Sequence, residues 1–136
     1  LAEDHERAAR ACLVAAEKSL RVLAFDECEQ FCRQGQQQAE SIASGHESLQ
    51  LLLELYRMEG WTVPSTERAR QMSADLQQLL QKVQGDACLE SICFEALSSL
   101  AYGQQEDAKV EDYSRQLALS AQPWRLLAGW PIRATA

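Results

Sequence analysis

The chain is predicted to be all-α, a stack of about three antiparallel helix hairpins. Three observations predict this. Apolar residues recur at helical spacing from one end to the other, and nowhere do they alternate as they would along a strand. Glycines and prolines fall almost wholly between the apolar runs, where helix breakers belong. Residues 48–83 hold two such runs, Leu49, Leu52, Leu53 and Tyr56 and then Ala69, Met72, Leu76, Leu79 and Val83, folded about one turn. A hairpin with apolar residues on both arms cannot bury them against itself alone, so similar hairpins are expected on either side.

The first helix is expected over residues 3–23, where Ala8, Ala9, Cys12, Ala15, Ala16, Leu20 and Leu23 make a wide stripe of mostly small residues that admits a close neighbour. Asp26 reads as the N-cap of a second helix, with Glu29 three residues on as the acid of a capping-box-like start. That helix runs to about residue 43 and is closed by Gly45. Its inward positions are Cys28, Phe31, Cys32, Gly35, Ala39 and Ile42, while Gln34, Gln36, Gln37 and Gln38 crowd the outer face. In the central hairpin Gly60 is expected to end the third helix in a left-handed conformation, and Pro64 with Ser65 to open the fourth. A fifth helix begins at about residue 86, lined by Cys88, Leu89, Ile92, Cys93, Ala96, Leu97 and Leu100, and a sixth spans about residues 105–121. Pro123 and Trp124 then open a short run stopped by Gly129 and Pro131, which reads as the truncated first arm of another hairpin. The hairpins are therefore residues 8–43, 49–83 and 89–121.

At 136 residues the prior is one domain spanning residues 1–136, with 46% apolar and 24% charged residues, an ordinary globular balance. The chain starts at Leu1, inside what already reads as helix, so it is expected to be a fragment of a longer protein. No run approaches the ~18 apolar residues of a membrane span, and no signal peptide is visible, so a cytoplasmic location is expected. A formal charge of −7 argues against direct nucleic-acid binding, because phosphate contacts need a concentrated basic face.

Across the second arms, Cys28, Ala69 and Ala108 occupy matching small-residue positions, at spacings of 41 and 39 residues. Gly103 stands where a tetratricopeptide repeat has its inter-helix glycine, and Ala96 at the small position of the first arm. The whole resembles a degenerate tetratricopeptide-like α-solenoid of about three repeats, lacking most of the characteristic Trp, Tyr and Pro. A more specific likeness covers roughly residues 15–84, in AAEKSLRVLAFDECEQFCRQG and LLLELYRMEGWTVPSTERARQM. These resemble the helical segment of large bacterial signal-transducing ATPases associated with adenylate cyclase, kinase or helix-turn-helix output domains, with Gly60, Trp61 and Pro64 matching a recurrent turn. Cys28, Cys32 and Arg57 depart from that pattern. The resemblance implies a regulatory role in signal transduction or transcription regulation and carries over no catalytic residue.

Nothing in the residues points to an enzyme or to a cofactor. Cys28 and Cys32 stand four apart and Cys88 and Cys93 five apart, without the two-residue spacing typical of zinc sites, so all four are expected to be buried, unliganded thiols. His5 and His46 are expected to face solvent. The paired acids Asp26 with Glu27 and Glu106 with Asp107 fall at helix N-termini, where the macrodipole accounts for them. The expected function is a protein-interaction scaffold that holds a protein segment or a neighbouring domain of the same chain. The alternative is a ligand-sensing bundle with a small molecule enclosed between helices. For the scaffold, the first helices of the hairpins would line a concave face carrying Arg10, Leu13, Glu17, Glu54, Met58, Glu90 and Leu97, an acidic wall suited to a basic partner. Trp124, Leu126, Leu127 and Trp130 would form an apolar strip through which copies associate.

Overall fold

In a computed structural model, which describes residues 2–42 and 45–120, the chain forms six α-helices and, among the described residues, no strand. They are α1 Ala2–Arg21, α2 Phe25–Glu40, α3 His46–Gly60, α4 Thr66–Lys82, α5 Ala87–Gly103 and α6 Asp107–Ser120. No helix among the described residues is long and apolar enough to cross a membrane.

Consecutive helices pack as antiparallel pairs. His5 at the start of α1 meets Gln38 at the end of α2, with Nδ1 2.6 Å from Oε1, and Glu59 at the end of α3 meets Arg68 at the start of α4. The first helices of the pairs also pack on one another, α1 on α3 and α3 on α5. α3 and α5 run parallel at a stagger of about forty residues. His46 Nδ1 lies 2.8 Å from Asp86 Oδ2, Arg57 donates to Glu95 at 3.3 Å, and the Gln104 amide donates to the Pro64 carbonyl at 3.0 Å. These contacts join residues 38 to 40 positions apart in the chain.

The turn within each pair contains one residue with positive φ, of a different type in each. Leu23, Val63 and Gln105 have φ of 60°, 50° and 59°. Around Leu23 and Gln105 the backbone closes as a Schellman motif. Leu23 N–H donates to the Leu20 carbonyl and Ala24 N–H to that of Ser19, while Gln105 N–H donates to Tyr102 and Glu106 N–H to Ala101. Pro64 has no N–H to complete the motif after Val63. There the Glu59 carbonyl accepts instead from the backbone and hydroxyl of Thr62, at 2.9 and 2.6 Å. Gly60 was the residue expected to turn left-handed. It lies inside α3 and faces α5, where an added Cβ would stand 3.6 Å from Ser99 Cβ, so its use is close packing.

Packing density differs between the pairs because side-chain size differs. α1 and α2 meet through Ala9, Ala16, Cys28, Cys32 and Ala39, all fully buried, so their axes approach closely. α4 is held by the longer Met72, Leu76 and Leu79 and stands farther from α3 and α5. Leu53, Leu55, Tyr56 and Leu97 fill the centre.

Several expected environments are corrected. α2 ends at Glu40 and Gly45 instead precedes α3 as its N-cap; Asp26 lies in the first turn of α2, whose N-cap, Ala24, has no side-chain cap. Ala108 is exposed, unlike Cys28 and Ala69, because no described helix covers that side of α6. His5 is half-buried against Gln38. Trp124, Leu126, Leu127 and Trp130 lie outside the described residues.

Cys28, Cys32 and Cys93 are buried, whereas Cys88 is exposed, because it follows the Asp86 N-cap closely and points off the outer side of the first turn. Burial pushes the Cys93 thiol up to about 12, helped by the nearby Glu90, and raises Cys28 and Cys32 as well. In native protein at neutral pH an aromatic disulfide reagent should therefore modify Cys88 first and half-buried Cys12 more slowly. Cys28, Cys32 and Cys93 should react only on unfolding. The sign of the linkage follows. A thiol whose folded value is raised stabilises the native state fully below its unfolded value near 9 and loses that contribution as pH rises toward 12, by at most about 1.4 kcal/mol per pH unit. Urea midpoints should fall between pH 9 and 11, and midpoints that stay level would contradict the burial of these groups.

Candidate functional site

The polar chemistry of the molecule gathers around α4. Ser65 caps that helix, its hydroxyl accepting from Arg68 N–H at 3.2 Å, and this fixes Arg68 in the first turn facing the end of α3. There Arg68 Nε donates to Glu59 Oε2 at 2.8 Å, and an Arg68 terminal nitrogen donates to Glu59 Oε1 at 2.9 Å, a two-pronged clamp. Gln36 from α2 donates to Glu59 Oε1 at 2.8 Å and accepts from Arg68 at 2.9 Å. Arg33 adds a longer ion pair at 3.5 Å. The Glu59 carboxylate is fully buried, and its hydrogen bond is the first cause that raises Arg68 above the ordinary guanidinium range. No buried side-chain nitrogen or oxygen among the described residues lacks a partner. Glu59 and Gln36 are buried at its centre, Arg68 and Arg33 reach solvent at its edge, and together these residues join α2, α3 and α4.

Reading the polarity of residues 34–38 placed Gln36 on the outer face, and the structure buries it. A signal was present. Gln36 falls on the same helical stripe as Cys28, Cys32 and Ala39, and Glu59 on the stripe of Leu52, Leu55 and Tyr56, so strict periodicity marks both as inward.

Because α4 stands off its neighbours, a groove opens along each of its sides. Toward α2 lies a cleft of about 400 Å³ between Glu40, Leu52, Tyr56, Asp75, Gln78 and Lys82. At its base the buried Tyr56 hydroxyl donates to Asp75 Oδ2 at 3.0 Å, with Glu40 Oε1 at 3.5 Å; burial first, and then the two carboxylates, keep the phenol from ionising in the ordinary range. Toward α6 lies a larger groove of about 530 Å³. Ala69, Leu97, Leu100 and Ala101 form its floor, and Arg70, Ser73, Gln77, Lys109 and Tyr113 its walls. Both are open to solvent along one side.

The residues expected on a concave wall do not form one open surface. Arg10 is exposed and pairs with Glu6 at 3.3 Å, and Glu17 is exposed beside Arg21. Leu13 and Met58 are half-buried, Leu13 against the main core and Met58 against the cluster of Ala16, Cys28 and Cys32. Glu54 is half-buried and accepts from Gln50 at 3.4 Å. Glu90 and Leu97 are buried, Glu90 accepting from Gly85 N–H at 3.0 Å and Leu97 lying under the floor of the larger groove. Their burial has a common cause: α5 is covered by α3 on one side and α4 and α6 on others, so it has little free face. No group of three or more His, Cys, Asp or Glu side chains among the described residues is arranged to hold a metal ion. No family model, curated protein or solved structure matches the chain.

Proposed function

We propose that the chain is a non-catalytic interaction module, three tetratricopeptide-like hairpins long, which holds a peptide segment or neighbouring domain within a larger signalling or transcription-regulating protein. The observation that carries this reading is the groove between α4, α5 and α6, open to solvent and walled by side chains from three helices. The forty-residue stagger of α3 on α5 and the shared backbone turn at Leu23, Val63 and Gln105 support a repeat architecture. A groove open along its length suits an extended or helical protein segment, whose own backbone keeps one side in water. An enclosed cavity would suit a buried small molecule better.

The test is occlusion. Ala74 is exposed on the wall of the groove, so Ala74→Trp fills the groove without disturbing the core. Peptides selected by display on the unmodified chain should bind the Ala74→Trp variant at least thirty-fold more weakly and compete with one another. Selected peptides that bind both forms equally would move the interaction off this face.

A further inference from the structure

The larger groove has a sign. In a chain with a formal charge of −7, its lining carries Arg70 and Lys109 against Glu106 alone, one net positive charge. The cleft on the opposite side of α4 is lined by Glu40 and Asp75 against Lys82, one net negative charge. The two positive groups in the larger groove are not equivalent. Lys109 is engaged by Glu106 at 2.8 Å, whereas Arg70 is exposed and makes no hydrogen bond or ion pair among the described residues. Two residues earlier on the same helix, Arg68 is turned inward on Glu59. Arg70 thus presents a planar, unpaired fork at a groove with an apolar floor and polar walls, the arrangement that binds a carboxylate by two parallel hydrogen bonds.

The groove also has ends. At one, the Thr66 hydroxyl donates to Gln104 Oε1 at 3.1 Å, and at the other Gln77 donates to the Tyr113 hydroxyl at 3.5 Å. The stretch of α4 from Thr66 to Gln77 is about 16 Å long at the helical rise, enough for three turns of helix or five extended residues. Its floor is Leu97, Leu100 and Ala101. An occupant that satisfies floor and wall together is aliphatic on one side and acidic beside it.

We propose that the groove between α4, α5 and α6 binds an acidic, aliphatic peptide segment, its carboxylate on Arg70 and its aliphatic side chains over Ala74, Leu97 and Leu100. This rests on the reading of the same groove as an interaction surface and reverses the sign of the partner that the sequence alone suggests. The acids expected on the first helices are paired or buried, and of the two open grooves the larger is the positive one.

The experiment uses three fluorescein-labelled ten-residue peptides with leucines at helical spacing, their remaining positions rich in glutamate, glutamine or lysine. Anisotropy titrations should give the glutamate peptide a Kd at least ten-fold below the glutamine peptide and still further below the lysine one. Arg70→Gln should remove the preference and Arg70→Glu should invert it; Arg70 is exposed, so neither variant threatens the fold. Amide shifts should map to α4, α5 and α6. Equal binding of all three peptides, blocked by Ala74→Trp but indifferent to Arg70→Glu, would overturn the acidic assignment and leave the interaction groove standing. Absence of binding by any peptide at millimolar concentration would remove both. Self-association of the free chain that Arg70→Glu abolishes would make the occupant a second copy, and would also overturn the proposal.

Discussion

Replacing Glu59 by methionine should lower the stability of the chain by roughly 3 kcal/mol or more, the largest loss expected from any single polar residue in it. The carboxylate is fully buried and receives two bonds from Arg68 and one from Gln36. Its removal strands a mostly buried guanidinium and a buried amide, and the desolvation of those groups is then uncompensated. Arg33, about half exposed, loses a longer ion pair that water can replace. The rescue is as informative as the loss. A Glu59→Met, Arg68→Met, Gln36→Leu triple variant removes the three central members, leaves only the half-exposed Arg33, and should recover most of the stability, because buried ion pairs contribute little beyond what apolar packing supplies. Urea unfolding at neutral pH, with the slope m compared between variants, measures both steps. A Glu59→Met variant as stable as the parent would show that α2, α3 and α4 are held by packing alone.

The second large effect is expected at Gly35, and it grows with side-chain size. A Cβ at this position would stand 2.8 Å from Leu55 Cδ2 and 2.9 Å from Cys12 Cβ. The leucine tip can move; the cysteine Cβ is tied to the backbone of α1. Alanine in mid-helix is worth about 1 kcal/mol over glycine, whereas overpacking a tight contact costs about 1–3 kcal/mol. Gly35→Ala should therefore destabilise by roughly 1 kcal/mol in spite of its better propensity. Gly35→Leu should exceed about 3 kcal/mol, since α1, α2 and α3 must then part. Thermal unfolding of the two variants beside the parent checks the order, and a stabilised Gly35→Ala would mean that α1 and α2 can separate freely.

The helices were legible in the sequence because their signal is local. Apolar spacing and breaker residues place all six, with ends that shift by one to three residues. The small positions Cys28, Cys32, Gly35 and Ala39 were recognisable as inward, and they are buried. What escaped was pairwise. Gln36, Glu59 and Arg68 are polar when read one at a time, and only their meeting at one helix crossing makes burial tolerable. The same holds for the grooves. No periodicity of α4 says that its long core side chains will hold it away from α3 and α5, and that spacing decides which face is open. Glu90 shows the reverse error, a charged residue expected on a wall that instead satisfies the backbone of the turn before its own helix.

The turns at Leu23, Val63 and Gln105 bear on how such a chain can change over time. Each puts an exposed side chain in a backbone region that L residues enter at a cost of about 1–2 kcal/mol, and Val63, branched at Cβ, is the least suited of the three. The fold demands the torsion angle there and is indifferent to the letter. The residue at each of the three positions can therefore change while the backbone angle is kept. The same positions form a reserve for adaptation. Glycine or asparagine arising at each would add stability, with coupling between Val63 and Gln105, whose turns are joined by the Gln104–Pro64 hydrogen bond. That margin would let the walls of the groove accumulate otherwise destabilising changes while the scaffold stays folded.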